Sequence, residues 1–233
     1  MHFDCGGLSF TLPESITING KLSIFAIAKF DSYALGGTNA SGRQTILYWT
    51  GSNSYMFWQE TTGSMGITVY DTGASLWKPA TVDVGSVYNK IMAYYGYVDS
   101  SNEGIYVYDL EGNVVMQSSR SDIVTPQSIT TSNYTIGSNS LNARKMCGTI
   151  YAVAAFYRTL SEDEIDELIK NFMDSDIYTS IDECILAVIF DRLKYGVTPY
   201  DIINGVYGSP VNSEFPPRWN LLTTGDVNVE VLG

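Results

Sequence analysis

Histidine is nearly missing from this sequence: His2 is the only one in 233 residues, beside 13 basic and 25 acidic side chains. So scarce an imidazole argues against Ser-His-Asp and Cys-His nucleophile arrangements, because His2 sits one residue from the start where positioning is poor. It also deprives a zinc site of its usual nitrogen donors. The net charge of −12 repels phosphate backbones and anionic lipid, so nucleic acid is not expected as a partner. Cysteine is sparse too. Cys5, Cys147 and Cys184 lie far apart, with no C-x-x-C spacing. That odd count predicts buried free thiols rather than a disulfide framework. Apolar runs fall well short of the ~20 residues of a membrane helix, so insertion into a bilayer is not expected. Met1 is followed almost at once by strand-like sequence, and no N-terminal secretion signal is read from it. Gly36-Gly37 opens a polar loop instead of a helix, which is not how a phosphate cradle is built.

What is present favours β structure. Apolar residues make up 45% and aromatics 13%, with 17 Tyr and 21 Gly, a composition suited to short strands and tight turns. Residues 8–30 alternate, with Leu8, Phe10, Leu12, Ile16, Ile18, Leu22, Ile24, Ala26, Ala28 and Phe30 on one parity and Asn19-Gly20 as a hairpin dipeptide. Further strand-like runs occur at 44–49, 55–59, 66–70, 90–97, 105–109, 113–117, 134–137 and 149–157, separated by turn-rich clusters. Short strands at this spacing predict a sandwich or barrel. The pattern changes at Ser161-Glu162-Asp163-Glu164, a capping box that opens a helix over 162–173 through Ile165, Leu168, Ile169 and Phe172. That helix is expected across one edge of the sandwich. A second box, Ser180-Ile181-Asp182-Glu183, predicts another helix ending near Gly196, and Thr198-Pro199 predicts a third, brief one. A boundary near residue 174 divides a sandwich over 1–173 from a helical and extended segment over 174–233.

Several stretches in sequence order resemble one family. Phe3-Asp4-Cys5-Gly6-Gly7 is similar to its opening strand and turn, and Leu22–Phe30 to its long early core strand. Gly85-Ser86-Val87-Tyr88-Asn89-Lys90-Ile91 falls where that family has Gly-x-Trp-His-His-Val, with Tyr88 in place of Trp. Ile105–Gly112 resembles its Tyr-Val-Asp-Gly hairpin, lengthened by two residues. Ile136-Gly137 and Gly148–Ser161 resemble its last strand and the Tyr-Asn-Arg-Ala-Leu-Ser turn before a capped helix. Residues 3–172 thus resemble the laminin-G-like group of the concanavalin A-like lectin/glucanase superfamily. The resemblance implies an all-β, antiparallel jelly-roll sandwich with a small C-terminal extension.

The glycosidases of that superfamily place two carboxylates on one strand, about 5 Å apart when retaining. The nearest string here, Glu164-Ile165-Asp166-Glu167, falls on the predicted helix, where Glu164 is taken up by capping. No catalytic residue, metal ligand or cofactor is therefore assigned, and the protein is read as a non-enzyme. Calcium, common among the relatives, would need clustered oxygens, whereas Asp71, Asp99 and Asp109 are dispersed in sequence. Aromatics near amide and carboxylate side chains give the candidate glycan site: Trp58 or Trp77 with Asn53, Asp71 or Asn139. The competing reading puts such rings in the core, and Tyr94, Tyr95 and Tyr97 crowd one strand. The run Cys184–Phe190 has seven consecutive apolar residues, enough to cover a helix on every side. Such a helix is either covered by the sandwich and the 197–233 tail or meets another chain. Ile185, Val188, Ile189 and Trp219 are the interface candidates under the second reading.

Two functions are consistent with these features. The first is a structural protein on a virion or particle surface, such as a phage capsid-decoration, head-fibre or tail-associated subunit. It would be oligomeric, joined to other subunits through 174–233. The second is a free-standing carbohydrate-binding module that meets cell-surface glycan. Both place the protein on a virion surface or outside a cell.

Overall fold

A computed structural model describes residues 1–30, 43–51, 56–60, 64–83, 87, 89–100, 102–123, 125–138, 146–190 and 198–211, with the side chains of 2–5, 43 and 56–60 left out. The chain opens with strands β1 (His2–Gly6), β2 (Leu8–Asn19), β3 (Lys21–Phe30), β4 (Arg43–Trp49), β5 (Met56–Glu60) and β6 (Ser64–Asp71). It continues through β7 (Leu76–Asp83), β8 (Ile91–Asp99), β9 (Asn102–Tyr108), β10 (Val114–Arg120), β11 (Ser128–Ile136) and β12 (Met146–Phe156). Helices α1 (Glu162–Lys170) and α2 (Ser175–Ser180) precede β13 (Cys184–Ile189), β14 (Tyr200–Asp201), β15 (Val206–Tyr207) and β16 (Ser209–Pro210). Among the described residues these strands form two antiparallel sheets. The larger runs β10-β9-β8-β3-β12-β13-β14-β15, with β1 also paired to β12, and the smaller runs β16-β2-β11-β4-β5-β6-β7. The expected antiparallel jelly-roll β-sandwich is the observed fold.

Strand alternation builds the core directly. On β3, Leu22, Ile24, Ala26, Ala28 and Phe30 face the smaller sheet and join one cluster with Phe10, Trp49, Ile67, Tyr94 and Tyr134. The other parity, Phe25 and Ile27, faces outward into a second cluster under the helices. The larger sheet is thus covered on both faces, which is why its central strands read as nearly continuous apolar runs. Ser161 and Glu164 cap α1 reciprocally, as the sequence predicts. Ile165, Leu168 and Ile169 bury the helix against the outer face of the larger sheet, not across an edge.

The expected helix over Cys184–Phe190 is instead β13. It pairs with β12 from Ala152↔Ile189 to Phe156↔Cys184. Leu186 and Val188 point into the inter-sheet core and Ala187 and Ile189 into the outer cluster. An apolar run of six or seven residues is what a strand buried on both faces needs, and it carries no period that separates it from a buried helix. Ser180 ends α2, whose cap is Asp174, and Glu183 adopts φ 64°, which turns the chain out of helix before β13. The third expected helix is replaced by β14, where Asp201 is fully buried. Asp201 accepts from Tyr134 Oη (2.8 Å), Ala187 N (3.2 Å), Ile203 N (3.0 Å) and Asn204 Nδ2 (2.7 Å). This one carboxylate ties β14 to β13 and to β11 of the other sheet. Strands of the 174–233 segment therefore complete both sheets.

The thiol expectation is corrected at one position: Cys147 is disulfide-bonded, while Cys184 is free. The register explains why a spacing argument failed. Strand β1 returns along β12, with Asp4 opposite Cys147, so residues remote in sequence are neighbours. Burial pushes the Cys184 thiol up to about 12, which makes it unreactive.

Candidate functional site

Asn53 and Asn139 lie outside the described residues, as do Trp219 and the side chain of Trp58. Trp77 is 45% exposed on β7, where its ring meets Tyr70 edge-on at 5.4 Å. Asp71 cannot reach a ligand beside it. It is fully buried, accepts from the amides of Gly73, Ala74 and Thr125, and pairs with Lys78 at 2.8 Å. The described members of the predicted glycan site thus form no common surface. Ile185, Val188 and Ile189 are buried within the chain's own two clusters, so none presents a free face to a second molecule.

Rings do gather elsewhere, on the outer face of the larger sheet. Strands β8 and β9 form a hairpin in which Asp99 pairs with Asn102, turning through Ser100 at φ 54°. Alternation puts Tyr95 and Tyr97 of β8 and Tyr106 and Tyr108 of β9 on the same face. Tyr97 is opposite Gly104, and a Cβ on Gly104 would lie 2.4 Å from Tyr97 Cε1. The glycine therefore lets the Tyr97 ring lie flat over β9, with one face on the backbone. Centroids of Tyr97 and Tyr106 are 6.3 Å apart with planes 25° from parallel, and those of Tyr106 and Tyr108 are 6.1 Å apart at 22°. Near-parallel rings side by side make a platform, not a box.

The platform floors a cavity of about 380 Å³ lined also by Asp99, Asn102, Thr159, Leu160, Glu162 and Ile165. Tyr95 and Tyr108 are buried, and Tyr97 and Tyr106 are half-exposed to the cavity. Tyr95 Oη accepts the Leu160 amide at 2.7 Å and so fixes the entry to α1 against the sheet. Burial raises the Tyr95 hydroxyl far above its ordinary range and pushes Tyr108 up to about 12. Tyr97 is raised too, by burial and then by Tyr106 and Asp99. These hydroxyls stay protonated at neutral pH, so they can donate as well as accept. The cavity thus offers flat apolar faces, neutral hydroxyl donors and carboxylate and amide acceptors on one face of the β8–β9 hairpin.

A second hollow of about 420 Å³ lies on the same face, lined by Lys29, Asn89, Lys90, Ile91, Met92, Asp109, Leu110, Glu111 and Tyr151. The β9–β10 turn packs against α1 here: a Cβ on Gly112 would lie 2.8 Å from Asp166 Oδ1. Asp109 accepts from Asn113 Nδ2 (3.0 Å), which chiefly holds its carboxyl below the usual range, and from the amides of Asn113 and Glu111.

Glu164, at the head of the carboxylate string nearest to a glycosidase pattern, accepts from Arg158 at 2.5 and 2.8 Å and from the Ser161 amide at 2.8 Å. The Arg158 hydrogen bond dominates and holds its carboxyl at about 2, so it is a spent acceptor, not an acid. Asp71, Asp99 and Asp109 are likewise engaged, with Lys78, with Lys21 at 3.1 Å and with Asn113. Among the described residues no three His, Cys, Asp or Glu converge as a metal site, and no helix is long and apolar enough to cross a membrane.

The sequence could have given the tyrosine face. Tyr-x-Tyr occurs at 95–97 and again at 106–108, and a hairpin between them puts all four rings on one side. Tyr106 and Tyr108 escape notice as site residues because they read first as part of a family hairpin.

No protein-family model matches the sequence, and no curated protein does. Among solved structures, a candidate carbohydrate-binding protein from Bacteroides ovatus superposes with TM-score 0.61 at 14% identity, covering 90% of this chain. This chain spans 56% of that protein's length. A heptameric pentraxin from Limulus polyphemus matches at TM-score 0.48 and 12% identity, over 72% of this chain and 76% of its own. A carbohydrate-binding module of a Ruminococcus gnavus sialidase, bound to α2,3-sialyllactose, matches at TM-score 0.47 and 14% identity, over 65% of this chain and 83% of its own. The fold of this chain is an antiparallel jelly-roll β-sandwich.

Proposed function

We propose that this protein is a non-enzymatic carbohydrate-binding module and that the tyrosine cavity between β8, β9 and the start of α1 is its binding site. One observation carries the reading: three near-parallel tyrosines, two of them half-exposed, floor a cavity rimmed by Asp99, Asn102, Thr159 and Glu162. Sugar rings have flat apolar faces that stack on aromatics and equatorial hydroxyls that need donors and acceptors at the edge. A quaternary ammonium would want walls at steep angles around it, which these rings do not provide. The fold shared with the Bacteroides ovatus protein is compatible with sugar binding. Within the sandwich class, the order of the matched stretches over residues 3–172 favours the laminin-G-like arrangement. The disulfide at Cys147 fits an oxidising setting outside the cell.

The virion-surface role with partners along 174–233 is not retained. Its docking element was an apolar helix needing cover, and that run is a strand already buried in the sandwich.

Binding is tested on a glycan array and then by calorimetry on the strongest hits. Tyr97→Ala and Tyr106→Ala are expected to weaken binding roughly five- to tenfold each, since a lost aromatic face is worth about 1–1.5 kcal/mol. Trp77→Ala, distant on β7, is expected to leave binding unchanged. If Trp77→Ala abolishes binding while Tyr97→Ala does not, the site is elsewhere.

A further inference from the structure

We infer that the tyrosine cavity selects glycans without anionic groups: neutral or amino sugars, and not those ending in sialic acid, uronic acid or sulfate. The inference rests on the sugar-binding reading and adds to it the charge of the ligand.

Among the described residues the lining holds two carboxylates and no cation. Asp99 and Glu162 stand at the rim, and the other lining residues are four tyrosines, Asn102, Thr159, Leu160 and Ile165. Cations lie close by but are engaged. Lys21 pairs with Asp99 at 3.1 Å, and Arg158 grips Glu164 at 2.5 Å. An anionic ligand usually finds a guanidinium fork or an ammonium in its site, and neither is among the residues that line this cavity.

The start of α1 is the one feature at the described rim that could attract a negative group, because a helix N-terminus presents free amides and a positive dipole end. Here that end is occupied. Ser161 Oγ accepts from the Glu164 amide at 3.3 Å, and Glu164 closes the box on the Ser161 amide at 2.8 Å. Three carboxylates, Glu162, Asp163 and Glu164, fill the first turn. A ligand carboxylate or sulfate entering the cavity would meet Glu162, exposed at the helix start, and Asp99, whose charge Lys21 offsets from 3.1 Å. The net charge of −12 acts in the same direction at longer range.

For an amino sugar the same geometry becomes favourable, with the ring on Tyr97 and Tyr106 and the ammonium toward Asp99 or Glu162. Both carboxylates have neighbours that leave lone pairs open: Lys21 takes Asp99 Oδ1, and Glu162 is exposed at the helix start.

The experiment is binding of the full chain to an array carrying neutral glycans and the same cores extended with sialic acid, uronic acid or sulfate, plus glucosamine oligomers. Wild type is expected to bind neutral cores at least tenfold more tightly than their acidic counterparts at low salt, with the gap narrowing at high salt. The double variant Asp99→Asn, Glu162→Gln, checked for folding by its thermal melt, is expected to close most of that gap and to lose any preference for glucosamine oligomers. Acidic glycans binding as tightly as neutral ones overturn the selectivity and leave the sugar site standing. So does a gap that the double variant leaves intact, because its cause would then not be these carboxylates. If no glycan of either kind binds, or if binding is indifferent to Tyr97→Ala, the carbohydrate reading of the cavity falls and the inference with it.

Discussion

Glu103 shows what one residue can cost. It sits on β9 with the inward parity of Ile105 and Val107, is fully buried, and neither carboxylate oxygen accepts a hydrogen bond. Arg120 Nε is 3.8 Å away, but Arg120 is drawn off by Asp122 at 2.6 and 2.7 Å. Burial dominates and pushes the Glu103 carboxyl up from 4.5 to about 8, with Arg120 pulling it part of the way back. The folded chain therefore keeps a proton that the unfolded chain releases between pH 4.5 and 8. Across that window the Glu103 contribution to stability falls as pH rises, by up to about 1.4 kcal/mol per pH unit, and levels off above pH 8. The buried Met1 amino group, lowered by burial from 8.0 to about 5, contributes the opposite slope between about pH 5 and 8. Glu103→Gln is expected to remove the Glu103 part of that dependence, so the urea midpoint of the variant should gain on that of wild type between pH 6 and pH 9. A difference between variant and wild type that stays constant over that range would place the proton on another group.

Among the elements, β14 is one of the shortest and has the largest consequence. Its Asp201 joins β13, the β14–β15 turn and Tyr134 of the opposite sheet. Burial raises this carboxyl while hydrogen bonds from Asn204 and Tyr134 lower it. Asp201→Ala leaves the buried Tyr134 hydroxyl and the Ala187 amide without their acceptor. At about 1–3 kcal/mol for each unpaired group, a loss of roughly 3 kcal/mol in unfolding free energy is expected, and a smaller one for Asp201→Asn. A change in Asp201→Ala within about 0.5 kcal/mol, the range of a plain surface substitution, would show that the pin carries no load. The same elements mark how far the sequence could be read. Strands β2, β3, β8 and β12 announce themselves by alternation or by apolar runs between turn residues, and α1 by Ser161 and Glu164. Strand β13 does not, because both its faces are covered and periodicity vanishes where both parities are apolar. Asp201 does not either. A Thr-Pro-Tyr-Asp string looks like a helix start, and only the Tyr134 hydroxyl, 67 residues away, and the Ala187 amide of β13 make it a buried pin. Of the site, exposed Trp77 was legible as an aromatic. The burial of Asp71 and the grouping of Tyr97, Tyr106 and Tyr108 depended on which strands pair.

At the scale of the whole molecule, residues 1–173 lean on the strands that come after α2. Strand β12 has β3 on one side and, on the other, β1 along its first residues and β13 along Ala152–Phe156. Removing residues after 173 strips that second half of its hydrogen-bonded neighbour and leaves an open edge of apolar β-branched and small residues, a template for aggregation. It also uncovers both hydrophobic clusters at once: Leu186 and Val188 leave the inter-sheet core, and Ile177, Tyr178 and Ile189 leave the outer one. Fully burying a side chain of the Val, Leu or Ile kind is worth about 1.5–3 kcal/mol, so Ile185, Leu186, Val188 and Ile189 together account for roughly 6–12 kcal/mol of gross burial. That is as large as the roughly 5–15 kcal/mol by which a whole domain is ordinarily stable. Loss of β16 further exposes β2, which pairs with it at Ser9 and Leu8. The 1–173 fragment is therefore expected to show no cooperative thermal melt and to elute as aggregate on size exclusion, whereas the full chain melts as one unit. A fragment that melts cooperatively within a few degrees of the full chain, and still binds the same glycan, would mean that the strands after α2 are an appendage to a sandwich complete without them.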